Sequence, residues 1–545
     1  MRNTVLLFGL LVAAASLATG QSYIGRLDTI GGTTYDWWAS ANVHRSLVNS
    51  PQFGIHAVWM YSSDMSNTTF PDRNMRYNFY DYSTRQWNWT DPDHMQSGVN
   101  IFSERSGYGV IDADSTGLLS VVAHTASGVV LARDAVPGAG VMSYCPGLAG
   151  SQWPDMAIGD DGTYHVAMSQ SGGLSYSRVR TWCSWDSVRT LDSLAFPTYA
   201  IAASKISPSV CATWVGDTSA FYLLSEDRGD TWSSRIELDP PPAFGGDTVT
   251  RFSLRGLFPF FDSQGRLHIA AAVYPEVHDT GYVNPAEIWH WCPANQPHWA
   301  EIHRAGCAPE HMQASVGYNA MYADRPSMGE GSEGRLYVAW EQFDSSNVEP
   351  TTSRLRAGIW VSGSTDNGAS WTPGLLVTGR NTNSHRFPCV IDRMVAGDPS
   401  EDTICVLYLM DQVAGFFIYG EGPATPNPVI CQFFVFPPPG VVESSKPEAT
   451  GLKPVASIVR GPRRQGDRGR KTGDRAVLLD ATGRKVMDLS AGANDVLRFP
   501  PGVYFVVTSS PSSSPPEGER AGVRGRLASG AQYDASSVRK VLVVR

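Results

Sequence analysis

The chain has 545 residues, 17% of them charged and 11% aromatic, with 53 glycines, 36 prolines and a formal net charge of −9. That length exceeds one small domain, and the Gly, Pro and aromatic content suits short strands joined by turns rather than long surface helices. An acidic main body excludes broad affinity for nucleic acid.

At the N-terminus, Arg2 supplies a positive charge, Val5 to Leu17 a short apolar run, and Ala18-Thr19-Gly20 small residues before a cleavage point at Gln21. This pattern predicts a secretory signal peptide over 1–20, too short for a comfortable bilayer span. No later segment is apolar enough to cross, so no transmembrane segment is expected in the mature protein. All eight cysteines follow the leader, where an exported chain permits disulfides. Two pairings fit the strand pattern: Cys389 with Cys405 across a hairpin, and Cys292 with Cys307 around a loop. Buried free thiols are the alternative. The spacing contains no zinc pattern, and neither metal nor cofactor is expected.

Between residues 54 and 410 one motif recurs, a turn followed by a strand with alternating apolar positions. Its instances are "GIHAVWM" (54–60), "GLLSVVAH" (117–124), "GTYHVAMS" (162–169), "SVCATWV" (209–215), "GRLHIAAAV" (265–273), "GRLYVAWE" (334–341) and "TICVLYLM" (403–410). Their spacing is close to that of one four-stranded propeller blade. Downstream lie two copies of Ser-x-Asp-x-Gly-x-(Thr/Ser)-Trp, "SEDRGDTW" at 225–232 and "STDNGASW" at 364–371. Asp227 and Asp366 suit bonding to backbone N–H groups of their own turn. Gly229 and Gly368 supply backbone freedom, and Trp232 and Trp371 a large ring to bury.

These two stretches resemble the Asp-box, or bacterial-neuraminidase repeat, of sialidase-like β-propellers, over roughly residues 24–437. The resemblance implies an all-β, seven-bladed, sialidase-like propeller at 21–437. Its boxes (Ser225, Asp227, Gly229, Thr231 and Trp232; Ser364, Asp366, Gly368, Ser370 and Trp371) would join third to fourth strands and be structural. A six-bladed ring is the alternative, with 107–134 as an insertion. "QSYIGRLDTI" would be a lead-in or closure strand.

Arg45, Arg325 and Arg386 occur in "HRSL", "DRPS" and "HRFP" and are the ligand-binding candidates, because clustered guanidinium groups suit a carboxylate or sulfate. Pairing with inner-strand carboxylates is the competing reading. The sialidase resemblance implies an acid/base Asp and a Tyr/Glu pair, for which Asp64 and Glu341 are the candidates. No particular tyrosine is singled out, and the Arg-Ile-Pro element that the family carries in its first blade has its nearest match in the last, at Arg386-Phe387-Pro388. The residues therefore favour binding over catalysis. The expected partner is a glycan, surface polymer or protein, with a sialidase-type glycoside hydrolase as the alternative.

Lys446–Arg545 holds 18 Lys and Arg against 9 Asp and Glu, so the rest carries −18. This asymmetry marks a boundary, with a basic Pro/Gly-rich linker at 438–474. The basic residues lack interleaved aromatics, which argues against nucleic acid. Beyond the linker, "LLDATGRKV", "PPGVYFVV" and the terminal "VRKVLVVR" resemble the C-terminal sorting domain of type IX secretion cargo, an Ig-like β-sandwich at 475–545. That resemblance implies export machinery as a partner, and a secreted or surface location in a Gram-negative-type bacterium.

Overall fold

The computed structural model describes residues 23–436, apart from 171, 194–197, 217–218, 240, 242–250, 278–279 and 394–401, and beyond them six strands between 458 and 543. The chain divides into two compact units, Met1–Ser445 and Lys446–Arg545.

The first unit is a seven-bladed β-propeller. Each motif strand of the sequence is the second strand of a blade: Gly54–Tyr61, Leu119–Thr125, Tyr164–Gln170, Val210–Val215, Leu267–Val277, Leu336–Glu349 and Asp402–Asp411 in blades 1 to 7. Every blade is an antiparallel sheet, and its first strand faces the ring axis. In order these are Leu47–Ser50, Ser106–Ala113, Gln152–Ile158, Tyr199–Ala203, Arg251–Phe261, Ala323–Glu330 and Ser384–Val390. Neighbouring blades touch through them. The six-bladed alternative fails at 107–134, because this stretch carries three strands of a complete blade 2. Blade 7 borrows its fourth strand, Arg26–Thr33, from the N-terminus, and it pairs antiparallel with Asn427–Phe436. The first and last strands of this unit are thereby stitched into one sheet.

The cores lie between blades. Trp59, Trp214 and Trp340 are wholly buried on second strands, as period-2 alternation of apolar residues requires. The histidines of three motif strands act as bolts across their own blades. His56 bonds Tyr77 at 2.8 Å, His165 bonds Tyr176 at 2.7 Å and His268 bonds His290 at 2.9 Å.

The two repeated turns link third to fourth strands in blades 4 and 6, with the same bonds in each. Ser225 Oγ donates to Asp227 Oδ1 (2.8 Å) and accepts from Gly229 N, and Thr231 N donates to Asp227 Oδ1 (2.8 Å). Ser364, Asp366, Gly368 and Ser370 repeat this set. Gly229 sits at φ +77°, and a Cβ there would lie 2.0 Å from the Tyr176 hydroxyl of blade 3. At Gly368 it would lie 2.1 Å from the His290 ring of blade 5. Each turn is thus pressed against the preceding blade. The two tryptophans differ. Trp371 is buried and its indole N–H donates to Gly368 O, whereas Trp232 is half-buried and its indole nitrogen has no hydrogen-bond partner.

Neither expected disulfide forms. Cys389 lies opposite Leu407 and Cys405 opposite Phe433, so the first pair is out of register. Cys292 follows the Trp291–Trp299 end of its strand pair and Cys307 the Ala286–Ala305 end, so the second pair sits at opposite ends of a hairpin. The disulfide among the described residues is Cys145–Cys183, which joins blades 2 and 3.

In the second unit, Lys485–Leu489, Arg475–Asp480, Gly502–Ser509 and Val538–Val543 form a four-stranded antiparallel sheet in that order, and Ile458–Gly461 pairs with Gly492–Asp495. A strand therefore falls inside the expected linker. The segments that would define a sandwich, and the leader at 1–20, lie outside the described residues.

Candidate functional site

In each blade the start of the first strand lies beside the end of the second, so these ends and the second-to-third links share one face, here called upper. The repeated turns lie on the other, lower face. The sequence candidates divide between the upper face and the channel. Arg325 Nη1 bonds Glu341 Oε1, and Arg386 reaches the same carboxylate through Nε (3.1 Å) and Nη2 (3.0 Å). Phe387 N–H completes the set at 2.9 Å. All three side chains are at most 2% exposed. Burial alone would raise the Glu341 carboxyl, but the Arg386 and Arg325 guanidinium groups hold it at about 2. This trio ties blade 6 to blade 7. No tyrosine is among the bonded partners of Glu341, and the two arginines already have their anion. Arg45 is elsewhere. It lines a cavity of about 50 Å³ in the channel, its guanidinium 5.3 Å from the Phe258 ring. Asp64 accepts from Ser66 N, Ser66 Oγ and Asn67 N in an exposed turn. The Ser66 N–H bond leads in lowering its carboxyl below the usual range.

The upper face holds a constellation absent from the sequence candidates. The first strands of blades 2, 3, 5, 6 and 7 each carry a β-bulge at the same place, with register breaks after Gly107, Gln152, Arg255, Asp324 and Arg386. The next residue has positive φ every time: Tyr108 +52°, Trp153 +52°, Gly256 +62°, Arg325 +56° and Phe387 +58°. Bulges re-aim side chains and recur beside functional sites. In blades 2 and 3 they bring Tyr108 and Trp153 together, ring centroids 4.5 Å apart, with His124 at 5.2 and 4.8 Å from them.

Behind Tyr108 its hydroxyl meets that of buried Tyr35 at 2.7 Å, and Arg73 donates to the Tyr35 oxygen at 3.5 Å. Arg73 also lies 5.2 Å from the centroid of the Tyr108 ring and bonds Ser106 O. Exposed Arg105 stands near enough that it, after burial and Arg73, lowers His124, whose pKa falls to about 4. His124 is therefore neutral at pH 7. Its Nδ1 accepts from Trp153 N at 3.2 Å, which puts the proton on Nε2. Across from this group Tyr318 and Tyr419 stack at 3.8 Å, 46% and 42% exposed. Burial, then the neighbouring Tyr318 and Tyr108, raises the Tyr419 hydroxyl.

Tyr419 is held by an unusual acid. Asp36, 2% exposed, accepts the Phe417 N–H of the Tyr419 link. Burial pushes its carboxyl up to about 7, and Asp411 beside it is pushed well above the usual carboxylate range by burial and by Asp36. An unfolded aspartate titrates at about 3.9, so the folded state holds this proton more tightly. The Asp36 contribution to stability is full below about pH 4 and fades as pH rises towards 7. Denaturant midpoints between pH 4 and 8 should fall on the alkaline side, and Asp36→Asn should flatten that slope. An unchanged slope in the variant would assign the pH dependence to other groups.

Among the described residues no group of three His, Cys, Asp or Glu side chains is placed to hold a metal ion, and no helix is long and apolar enough to cross a membrane.

No family model matches the chain, and no curated protein matches it. Among solved structures it is similar to an ulvan lyase, described as a new polysaccharide lyase family, at 11% identity over 73% of this chain and 100% of that one, with a TM-score of 0.43. An α-L-arabinanase of Penicillium chrysogenum is 10% identical over 63% and 94% of the two chains, with a TM-score of 0.33. A Hadza microbial sialidase is 11% identical over 67% and 73%, with a TM-score of 0.31.

Proposed function

We propose that the upper face binds an acidic polysaccharide, its sugar rings against Trp153 and the Tyr318–Tyr419 pair and its carboxylate or sulfate groups beside Arg73 and Arg105. The observation that carries this reading is the Tyr108–His124–Trp153 cluster, an aromatic and polar group at the head of the channel with the Arg73 and Arg105 guanidinium groups nearby. Aromatic faces suit the apolar C–H face of a pyranose, and guanidinium forks suit its anions.

The Arg73–Tyr35–Tyr108 chain favours a second reading, cleavage of a uronate polymer by β-elimination. Arg73 donates to the Tyr35 oxygen, and the Tyr35 and Tyr108 hydroxyls share a hydrogen bond that either can donate, which places the Tyr108 oxygen in a proton-sharing pair suited to proton transfer. Tyr108 would take the C5 proton. The C5–H electron pair would form the C4–C5 double bond, the C4–O4 bond would break, and O4 would leave with a proton returned by Tyr108. The His124 Nε2–H would donate to the substrate carboxylate.

Both readings are tested together on a panel of uronate-containing polysaccharides, by calorimetry for binding and by ultraviolet absorbance of an unsaturated uronate for cleavage. Tyr108→Phe should lower turnover about 10²-fold or more and leave binding nearly intact, while Trp153→Ala should weaken both. Saturable binding without absorbance change would leave the binding reading and remove elimination. No binding to any member would remove both.

The supporting context is extracellular. We read 1–20 as an export leader, 475–545 as a type IX sorting module and the repeated turns as Asp boxes. Recovery of a chain beginning at Gln21 from the medium of a native host would support the leader, and recovery of the uncleaved chain inside the cell would count against it.

A further inference from the structure

A second cavity, of about 180 Å³, lies on blade 6 away from the channel. A hole for one water needs about 10–15 Å³, so this one is on the scale of a sugar ring. Its walls come from the end of the second strand, the start of the third, and the 379–383 link to blade 7. Their chemistry is mixed: Asn347, Asn381, Asn383 and Arg356 line the cavity together with Phe343, Leu376 and the half-buried indole of Trp360. The charges are already balanced, Arg356 by Glu349 at 2.7 Å and Arg380 by Asp344 at 2.7 Å. An ionic ligand would find no free counter-charge there. The other guanidinium nitrogens of Arg356 are used on Asn347, Val348 and Glu349, while its Nε, buried in the wall, has no hydrogen-bond partner. His303 lies 5.3 Å from Trp360 and Trp340 stacks beside it at 6.4 Å, which fixes the indole in place.

We propose that this cavity is a separate carbohydrate subsite that takes one neutral sugar unit, its ring against Trp360 and its hydroxyls on the donor and acceptor capacity that the asparagine amides keep beyond their bonds within the wall. The inference does not rest on the central site. Glucose, galactose, mannose, xylose and N-acetylglucosamine are titrated against the full chain, read by saturation-transfer NMR and tryptophan fluorescence. At least one should bind saturably. Trp360→Leu should weaken it about tenfold or more, as loss of an aromatic contact does, and Tyr108→Phe should leave it unchanged. Asn347→Ala should also weaken it, and unchanged thermal unfolding of both variants guards against a folding defect. Failure of all five sugars, unchanged affinity in both cavity variants, or loss in Tyr108→Phe would overturn the proposal.

Discussion

Replacing Glu341 by glutamine is expected to destabilise the propeller by about 3–5 kcal/mol, the cost of leaving a buried charge without its partner. The carboxylate accepts from two arginines and one backbone N–H, all inside the ring. Glutamine keeps the shape but offers one acceptor oxygen and no charge, so Arg386 would lose its bonded carboxylate and Arg325 would be left with Asp324 at 3.7 Å. Thermal unfolding should show a large drop in Tm, with blades 6 and 7 most affected in hydrogen exchange. A double variant, Glu341→Leu with Arg386→Met, should be less damaging than Glu341→Gln alone, because an apolar replacement of a buried pair is often tolerated. The folded carboxyl lies at about 2, below its unfolded value of about 4.3. Its stabilisation is therefore complete above that unfolded value and is lost as pH falls towards 2. A Glu341→Gln protein that melts with the wild type would refute the buried triad.

Trp371→Ala should cost about 3–5 kcal/mol, as removal of a buried aromatic does. The ring is 3% exposed, packs on His290 and closes its turn through the indole bond to Gly368 O. Trp232→Ala, at the same place in the other turn, should cost distinctly less. Its ring is half-buried and touches Tyr176 edge-on at 5.0 Å, without an indole hydrogen bond. Parallel denaturant titrations of the two variants would check the ranking. Equal losses would mean that the hydrogen-bonded turn, common to both, sets the stability rather than the ring.

The blades were legible because second strands are covered on both faces and still alternate around a Trp, His or Tyr of fixed position. "GRLYVAWE" and "GIHAVWM" carry that pattern in bare sequence, and the repeated turns carry it in their Ser, Asp and Gly spacing. The site was less legible for a geometric reason. Aligning "DRPS" with "HRFP" on their arginines puts Arg325 against Arg386, yet the bulges equate Arg325 with Phe387, Tyr108 and Trp153. The usable signal was the proline, as in Trp153-Pro154, Arg325-Pro326 and Phe387-Pro388, which marks the bulge in three blades. Blade 2 has Gly109 there instead, so Tyr108 leaves no trace of this kind. Tyr35, Arg73 and Tyr419 come from links between strands, where no period exists to read. The disulfide eluded prediction for a similar reason, since Cys145 and Cys183 meet across two blades and not within a hairpin.

The stitching of Arg26–Thr33 onto Asn427–Phe436 also dictates an order of events for a chain that emerges N-terminus first. The strand made earliest must wait for a partner about four hundred residues later. Until then it is an exposed edge with unpaired N–H and C=O groups, open to the wrong neighbour. The ring therefore can close only after residue 436 has been made and has emerged. Joining the two strands by a short loop and opening the chain between blades 3 and 4 would turn this longest wait into a local hairpin, and the permuted protein should refold faster with the same blades in place.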